Sequence, residues 1–277
     1  MGWTEAIVLG ILQGLTEFLP ISSSAHLLIA GQLFFDGDAG AAFTAITQLG
    51  TETAVVLYFA KDIWRIIKHW SLSLVGKVDR SDPDARMGWL IILGSIPIGV
   101  LGLLLQNYIE HTFRNLWVTV AMLAGVALII WFVDSRARNQ KALTELSFKD
   151  GLLYGLAQAA ALIPGVSRSG GTIAAGLALG YKREAAARYA FLLAIPAVFM
   201  SGLFKLADVA NDPSAAWPQI IVATLVAGGI GMAVIHWLLK YISTHNFLPF
   251  VIYRLVLAAV VAVLLLTGTL DAIPAGS

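Results

Sequence analysis

The chain has 277 residues, of which 58% are hydrophobic and 13% charged, with a formal net charge of +1 and no cysteine. About a quarter of the residues of a soluble domain are charged, so this apolar fraction exceeds what one core can hide and lipid is expected to cover the rest. The near-zero charge offers no field for nucleic acid, and the lack of cysteine excludes disulfides, thiolate zinc sites and a cysteine nucleophile.

The N-terminus lacks the basic region of a cleavable signal and carries Glu5, so it is expected to belong to the mature chain with Glu5 at the interface. Residues 5–19 form an apolar run in which Gln13 and Glu17, four apart, share one face of a short helix. The run breaks at Pro20-Ile-Ser-Ser-Ser-Ala-His26 and resumes over 27–35. A spanning helix takes about 20 residues, so these two short pieces predict a re-entrant hairpin. A carboxylate at the membrane centre costs about 2.5–3.5 kcal/mol and persists there only with a partner or water. Glu17 is therefore a candidate functional group rather than a snorkelling one. Ser22, Ser23 and Ser24 could cap the second piece. With His26 three residues beyond Ser23 and Glu17 nearby, they also fit a nucleophile or bound water with acid–base support.

Full spans are expected over 43–60, 87–105, 116–133, 189–206, 217–239 and 248–270. The first contains Gln48, expected to line a cavity, and Glu52, to which no role is assigned. Most tryptophans lie near the ends of these runs, as interfacial anchors do. A second broken segment, 151–163 and 173–180, flanks Pro164-Gly-Val-Ser-Arg-Ser-Gly-Gly-Thr172. A helix starting here would turn free N–H groups and its positive dipole end toward an anion. Gly170 and Gly171 permit close backbone approach, Arg168 offers a planar donor set matched to phosphate, and Ser167, Ser169 and Thr172 add hydroxyls. Pro196 is expected to kink its span. Arg188 and Arg254 are expected near the boundaries, contacting lipid headgroups.

Lysine and arginine crowd the loops 61–86 and 134–150 and the positions 182, 183 and 188, whereas the loops at 36–38, 106–115 (with only Arg114) and 208–214 are poor in them. The positive-inside rule places the rich loops in the cytoplasm, hairpin one outside, hairpin two inside and both termini outside. Gly14-Leu-Thr-Glu17 echoes Gly155-Leu-Ala-Gln158, and each break is followed by three spans. One membrane domain is expected, all-α, with six full transmembrane helices and two re-entrant hairpins in an inverted-topology repeat of roughly 1–134 and 135–277 and a shared site near the midplane. No Walker A, zinc-protease or acid-phosphatase-like lipid phosphatase pattern occurs.

The segment from Gln13 to His26, taken with Pro164–Thr172, resembles the undecaprenyl-diphosphate phosphatase family, the bacitracin-resistance proteins. The likeness extends over nearly the whole chain, including Gln48-Leu-Gly and Phe191-Leu-Leu-Ala-Ile-Pro196. It implies a phosphoric anhydride hydrolase of the bacterial inner membrane. The enzyme would convert undecaprenyl diphosphate to the monophosphate for cell-wall synthesis, with its site open to the outer face and a divalent cation, Mg2+ or Ca2+, assisting. Gln13 and Glu17 match the family's metal and catalytic motif, Ser23 and His26 its nucleophile and acid–base positions, and Ser167, Arg168, Ser169 and Thr172 its phosphate loop. Many members have Glu where Gln13 stands, and Glu52 replaces an apolar residue common in the family. The expected partners are a polyprenyl diphosphate and the membrane, with a homodimer left open. In the expected mechanism Arg168 holds the diphosphate, Ser23 or a water attacks, and His26 handles the proton. A polyprenyl-phosphate flippase or secondary transporter using the same site is the alternative, and a non-catalytic scaffold would leave Glu17, His26 and Arg168 without a purpose.

Overall fold

The computed structural model describes residues 1–277 except 36, 38, 111, 112, 114, 211–214 and 274–277. The loop charges at Asp36, Asp38 and Arg114 and most of the 208–214 loop lie outside the described residues. The described chain is α-helical apart from short 3-10 turns and one isolated bridge between Lys141 and Tyr181.

Both expected breaks are present. Helix α1 (Trp3–Thr16) stops before Pro20 and α2 (Ser23–Phe34) starts just after it; α8 (Phe148–Ala160) and α9 (Arg168–Ala178) flank Pro164 in the same way. The second helix of each pair begins earlier than the apolar run does, because a serine caps it. Ser22 accepts the N–H of Ala25 at 3.4 Å, and Ser167 accepts that of Gly170 at 3.1 Å.

Between and after the pairs run α3 (Gly40–Tyr58), α4 (Ala60–Leu74), α5 (Pro83–Leu104), the short α6 (Gln106–Glu110), α7 (Leu116–Arg136), α10 (Arg183–Val209), α11 (Trp217–Ile242) and α12 (Leu248–Leu266). Among the described residues five helices, α5, α7, α10, α11 and α12, are long and apolar enough to cross a membrane. The expected span at 43–60 coincides with α3, whose 19 residues include Gln48, Thr51, Glu52 and Thr53; these keep it out of that set. The segment 61–86 is more than a loop, since most of it is α4, with Trp64, Ile67 and Leu74 exposed on a helix that also carries Lys61, Arg65 and Lys68. Its mixture of charge and apolar faces suits an interfacial helix. Helix α12 ends at Leu266 rather than 270 because Gly268, at φ +71°, turns the chain back onto the last carbonyls.

Helices α1 and α3 pack on α11, while α8 and α10 pack on α5; α3 also crosses α10, and α7 lies along α12. Small residues permit these approaches. A Cβ on Gly10 or Gly14 would meet the carbonyls of Ala223 and Ala227 at 2.7 Å. In α8, Gly151 and Gly155, also four apart, seat that helix against Leu90 and Gly94 of α5.

Candidate functional site

The two breaks meet at the centre of the molecule. Ser22 and Ser167 take nearly the same left-handed conformation, φ +73° and +70°, which non-glycine residues adopt only when their surroundings impose it. In each break the cap also meets the serine two residues on, Ser22 with Ser24 at 3.2 Å and Ser167 with Ser169 at 3.1 Å. Ser23 and Arg168 thus hold equivalent places, at the first turn of α2 and of α9.

Of the expected site residues, Gln13, Glu17, Ser23 and Arg168 come together. Glu17 Oε2 accepts from Gln13 Nε2 at 2.6 Å and from Ser23 Oγ at 2.7 Å, while Glu17 Oε1 accepts from Arg168 Nη2 in a short ion pair. The same Nη2 reaches Glu52 Oε2 of α3 at 3.5 Å. Gln13, Glu17, Ser23 and Glu52 are buried, and Arg168 is slightly open. Three buried atoms in the cluster lack a protein partner: Gln13 Oε1, Glu52 Oε1 and Arg168 Nη1. A cavity of about 10 Å³, room for one water, is lined by Glu17, Glu52, Arg168 and Ser169 with Phe18 and Phe191.

The other expected residues frame this cluster. Ser169 Oγ donates to the carbonyl of Leu19 at 3.0 Å, fastening α9 to the first break, and Thr172 Oγ1 donates to that of Arg168 at 2.7 Å. Gly170 supplies the N–H capped by Ser167. Gln48 is half-buried on α3, one turn from Glu52, and is not among the residues lining the cavity. His26 is buried but turned to other partners: Nδ1 meets the Ser22 carbonyl and Nε2 the Tyr253 hydroxyl, each at 2.7 Å. A carbonyl only accepts, so Nδ1 carries the proton. The ring thereby braces the first break.

Arg254 corrects an expectation. Instead of lying at a headgroup boundary it is fully buried and donates to five backbone carbonyls. Nε reaches Leu123 at 3.1 Å; Nη1 reaches Pro20 at 3.1 Å and Val166 at 3.3 Å; Nη2 reaches Met122 at 3.0 Å and Gly165 at 2.7 Å. One guanidinium therefore ties both breaks and α7 together. The signal that could have found it is its position as the one charge inside the apolar run 248–266. Arg188 is likewise committed within the protein, donating to Asp62 at 2.7 Å and lying over the Phe59 ring. For Tyr253 no sequence signal existed.

The buried oxygens of Gln13, Glu17 and Glu52 are hard donors of the kind Mg2+ and Ca2+ take, and two of them are free of protein partners; the donor set fits the implied cation. Among the described residues a separate group, His69, Asp82 and Asp84, also comes close enough to hold an ion. It sits where α4 meets α5, and its oxygens already serve His69, Arg65 and the first turn of α5. There the Ala85 N–H, with His69 assisting, holds the Asp82 carboxyl below its ordinary value of 3.8.

The family model described as "Bacitracin resistance protein BacA" matches residues 6–260. Among similar proteins, one from Micrococcus luteus named undecaprenyl-diphosphatase is 58% identical over 277 residues, covering 98% of this chain and all of the relative. One of the same name from Kineococcus radiotolerans is 59% identical, with 98% and 97% covered. Undecaprenyl-diphosphatase 2 of Streptomyces coelicolor is 54% identical, again with 98% and 97% covered.

Proposed function

The chain belongs to the BacA family of bacitracin resistance proteins, and from that premise we propose that it hydrolyses undecaprenyl diphosphate to undecaprenyl phosphate and inorganic phosphate. The product is the lipid carrier for cell-wall synthesis, and recycling it is the activity that goes with the family's bacitracin resistance. One observation carries the site assignment: Arg168 stands at the start of α9 with Nη1 unpartnered, directly across from Glu17 and Ser23. A permanent cation, a capped helix N-terminus and a hydroxyl bonded to a carboxylate are the parts a phosphoryl transfer needs.

Each side chain then has a task. Arg168 and the α9 N–H groups bind the terminal phosphate. Ser23 attacks its phosphorus, the bond to the bridging oxygen breaks to release undecaprenyl phosphate, and water then hydrolyses the phosphoserine; or Ser23 orients a water that displaces undecaprenyl phosphate directly. In the first case the Ser23 proton passes along the existing 2.7 Å hydrogen bond to Glu17. That contact moves the proton-accepting role from His26 to Glu17 and leaves His26 as the brace of the loop. Gln13 and Glu17, with their hard oxygens, would hold a divalent cation, which when bound offsets the charge of the diphosphate oxygens. The cavity as it stands accommodates a water and no phosphate. Substrate therefore enters by separating Arg168 from the carboxylates.

The finer architecture belongs to the same proposal. Helices α1–α2 and α8–α9 are re-entrant hairpins, α3 completes a set of six spans, and the halves 1–134 and 135–277 form an inverted repeat. The equivalence of the contacts α1 and α3 on α11 with α8 and α10 on α5 supports it, as do the matching serine caps. The basic residues of α4, of the 134–150 loop and of the start of α10 support a cytoplasmic position for those segments, and the family resemblance supports a site open to the outer face.

The test is phosphate release from undecaprenyl diphosphate by the purified protein in detergent, where no gradient exists to drive transport. Wild type should release phosphate, and Arg168→Ala should lower the rate by about 100-fold or more, the usual consequence of losing a preorganised electrostatic donor. Release by folded Arg168→Ala at the wild-type rate would end the assignment.

A further inference from the structure

Glu52 is the one charged group of the cluster to which the mechanism gives no task. Its side chain is fully buried, lines the same cavity as Glu17 and Arg168, and keeps Oε1 without a partner. It is not needed to balance Arg168, because Glu17 already holds that guanidinium in the closer ion pair. With both carboxylates ionised, Glu17, Glu52 and Arg168 together carry a net negative charge. That charge repels a diphosphate and attracts a cation. A dication among the three groups would reverse the sign and leave a site that welcomes phosphate. Gln13, from α1, is equally buried and donates to Glu17 through Nε2 while its Oε1 has no partner, so the cluster holds two unpartnered oxygens, one from α1 and one from α3.

We propose that Glu52 is a ligand of a divalent cation at this site, together with Glu17 and the amide oxygen of Gln13. The second carboxylate of the pair is then supplied by α3, across from α1, where Gln13 offers an oxygen without a charge. The assignment rests on the phosphatase reading for its purpose, but it is separately measurable. Because the carboxylates that bind the cation are those that hold Arg168, cation binding releases the guanidinium for the substrate.

The experiment titrates Mn2+ into the purified full-length protein in detergent, without substrate, and counts free Mn2+ by electron paramagnetic resonance. Wild type should bind the ion. Glu52→Gln, which keeps the shape and removes the charge, should bind at least about tenfold more weakly, since ligand charge count sets affinity by decades in oxygen sites. Gln13→Glu in the Glu52→Gln background should recover most of that loss. If Glu52→Gln aggregates on gel filtration, Glu52→Asp replaces it, and its withdrawn oxygens should also weaken binding. Unchanged Mn2+ affinity in either variant, or no binding by wild type, overturns the proposal. Phosphate release by wild type is measured alongside. If it is absent while Mn2+ binding is present and depends on Glu52, the phosphatase reading fails and the Glu52 assignment stands.

Discussion

Replacing Arg254 by lysine isolates the guanidinium's geometry from its charge. Arg254 makes five hydrogen bonds to backbone carbonyls, three of them in the two breaks: Pro20, Gly165 and Val166. Lysine keeps a basic side chain of similar reach, but it has three donors against the guanidinium's five, and its more strongly hydrated ammonium is no cheaper to bury. At least two carbonyls therefore lose their donor in a place water does not reach. Each buried group left unpaired costs about 1–3 kcal/mol, which puts the loss at about 2–6 kcal/mol against a total stability of about 5–15 kcal/mol. Thermal unfolding of the purified proteins in detergent, followed by circular dichroism, should show a clear fall in midpoint. Phosphate release should fall further than the folded fraction accounts for, because Pro20 lies two residues before Ser22 and Val166 directly precedes Ser167. An Arg254→Lys protein with wild-type midpoint and turnover would refute the idea that this side chain sets the breaks.

Three other substitutions test the packing and the corner where α4 meets α5. Gly50→Ala in α3 would press a methyl group into the backbone carbonyl of Thr224 in α11 and should destabilise by about 1–3 kcal/mol, whereas Gly125→Ala in α7, with nothing within 4 Å of the new carbon, should leave the unfolding midpoint unchanged or raised. Asp82 caps α5 through Asp84 and Ala85, so Asp82→Ala should cost about 1 kcal/mol at neutral pH. Its carboxyl titrates below the ordinary 3.8, so the charged cap contributes fully above that value and is lost as the pH falls through the depressed one. The gap between the unfolding midpoints of wild type and Asp82→Ala should therefore close on acidification below about 3.8; a gap independent of pH would refute a charged cap.

What could be read from the sequence was local. Pro20, Pro164 and Gly165 interrupt helices by their own stereochemistry, and the serines that follow announce the restarts, so both breaks and the residues around Arg168 were legible without the fold. Helix ends missed by a few residues wherever a cap, such as Ser167, or a left-handed glycine, such as Gly268, decided the boundary. Helix α4 was hidden because Lys61, Arg65 and Lys68 resemble a charged loop unless Trp64 and Ile67 are read as a second face. The task of Glu52 was not legible at all, and Arg254 was marked only as the one charge inside the apolar run 248–266. The partner of Glu52 lies 116 positions away and those of Arg254 as far as 234, and nothing in the local pattern names the broken backbones that such an arginine reaches.

The matched serine caps carry a further consequence. Ser22 and Ser167 prepare two identical entrances, yet the next residue is Ser23 in one and Arg168 in the other. Two copies of a single half-chain related by a two-fold axis would necessarily present the same residue twice, either two hydroxyls or two guanidiniums. A reaction that needs a nucleophile facing an anion holder is closed to such a dimer. A single chain that carries both breaks is free of that constraint, and each entrance can hold its own residue on a similar backbone shape.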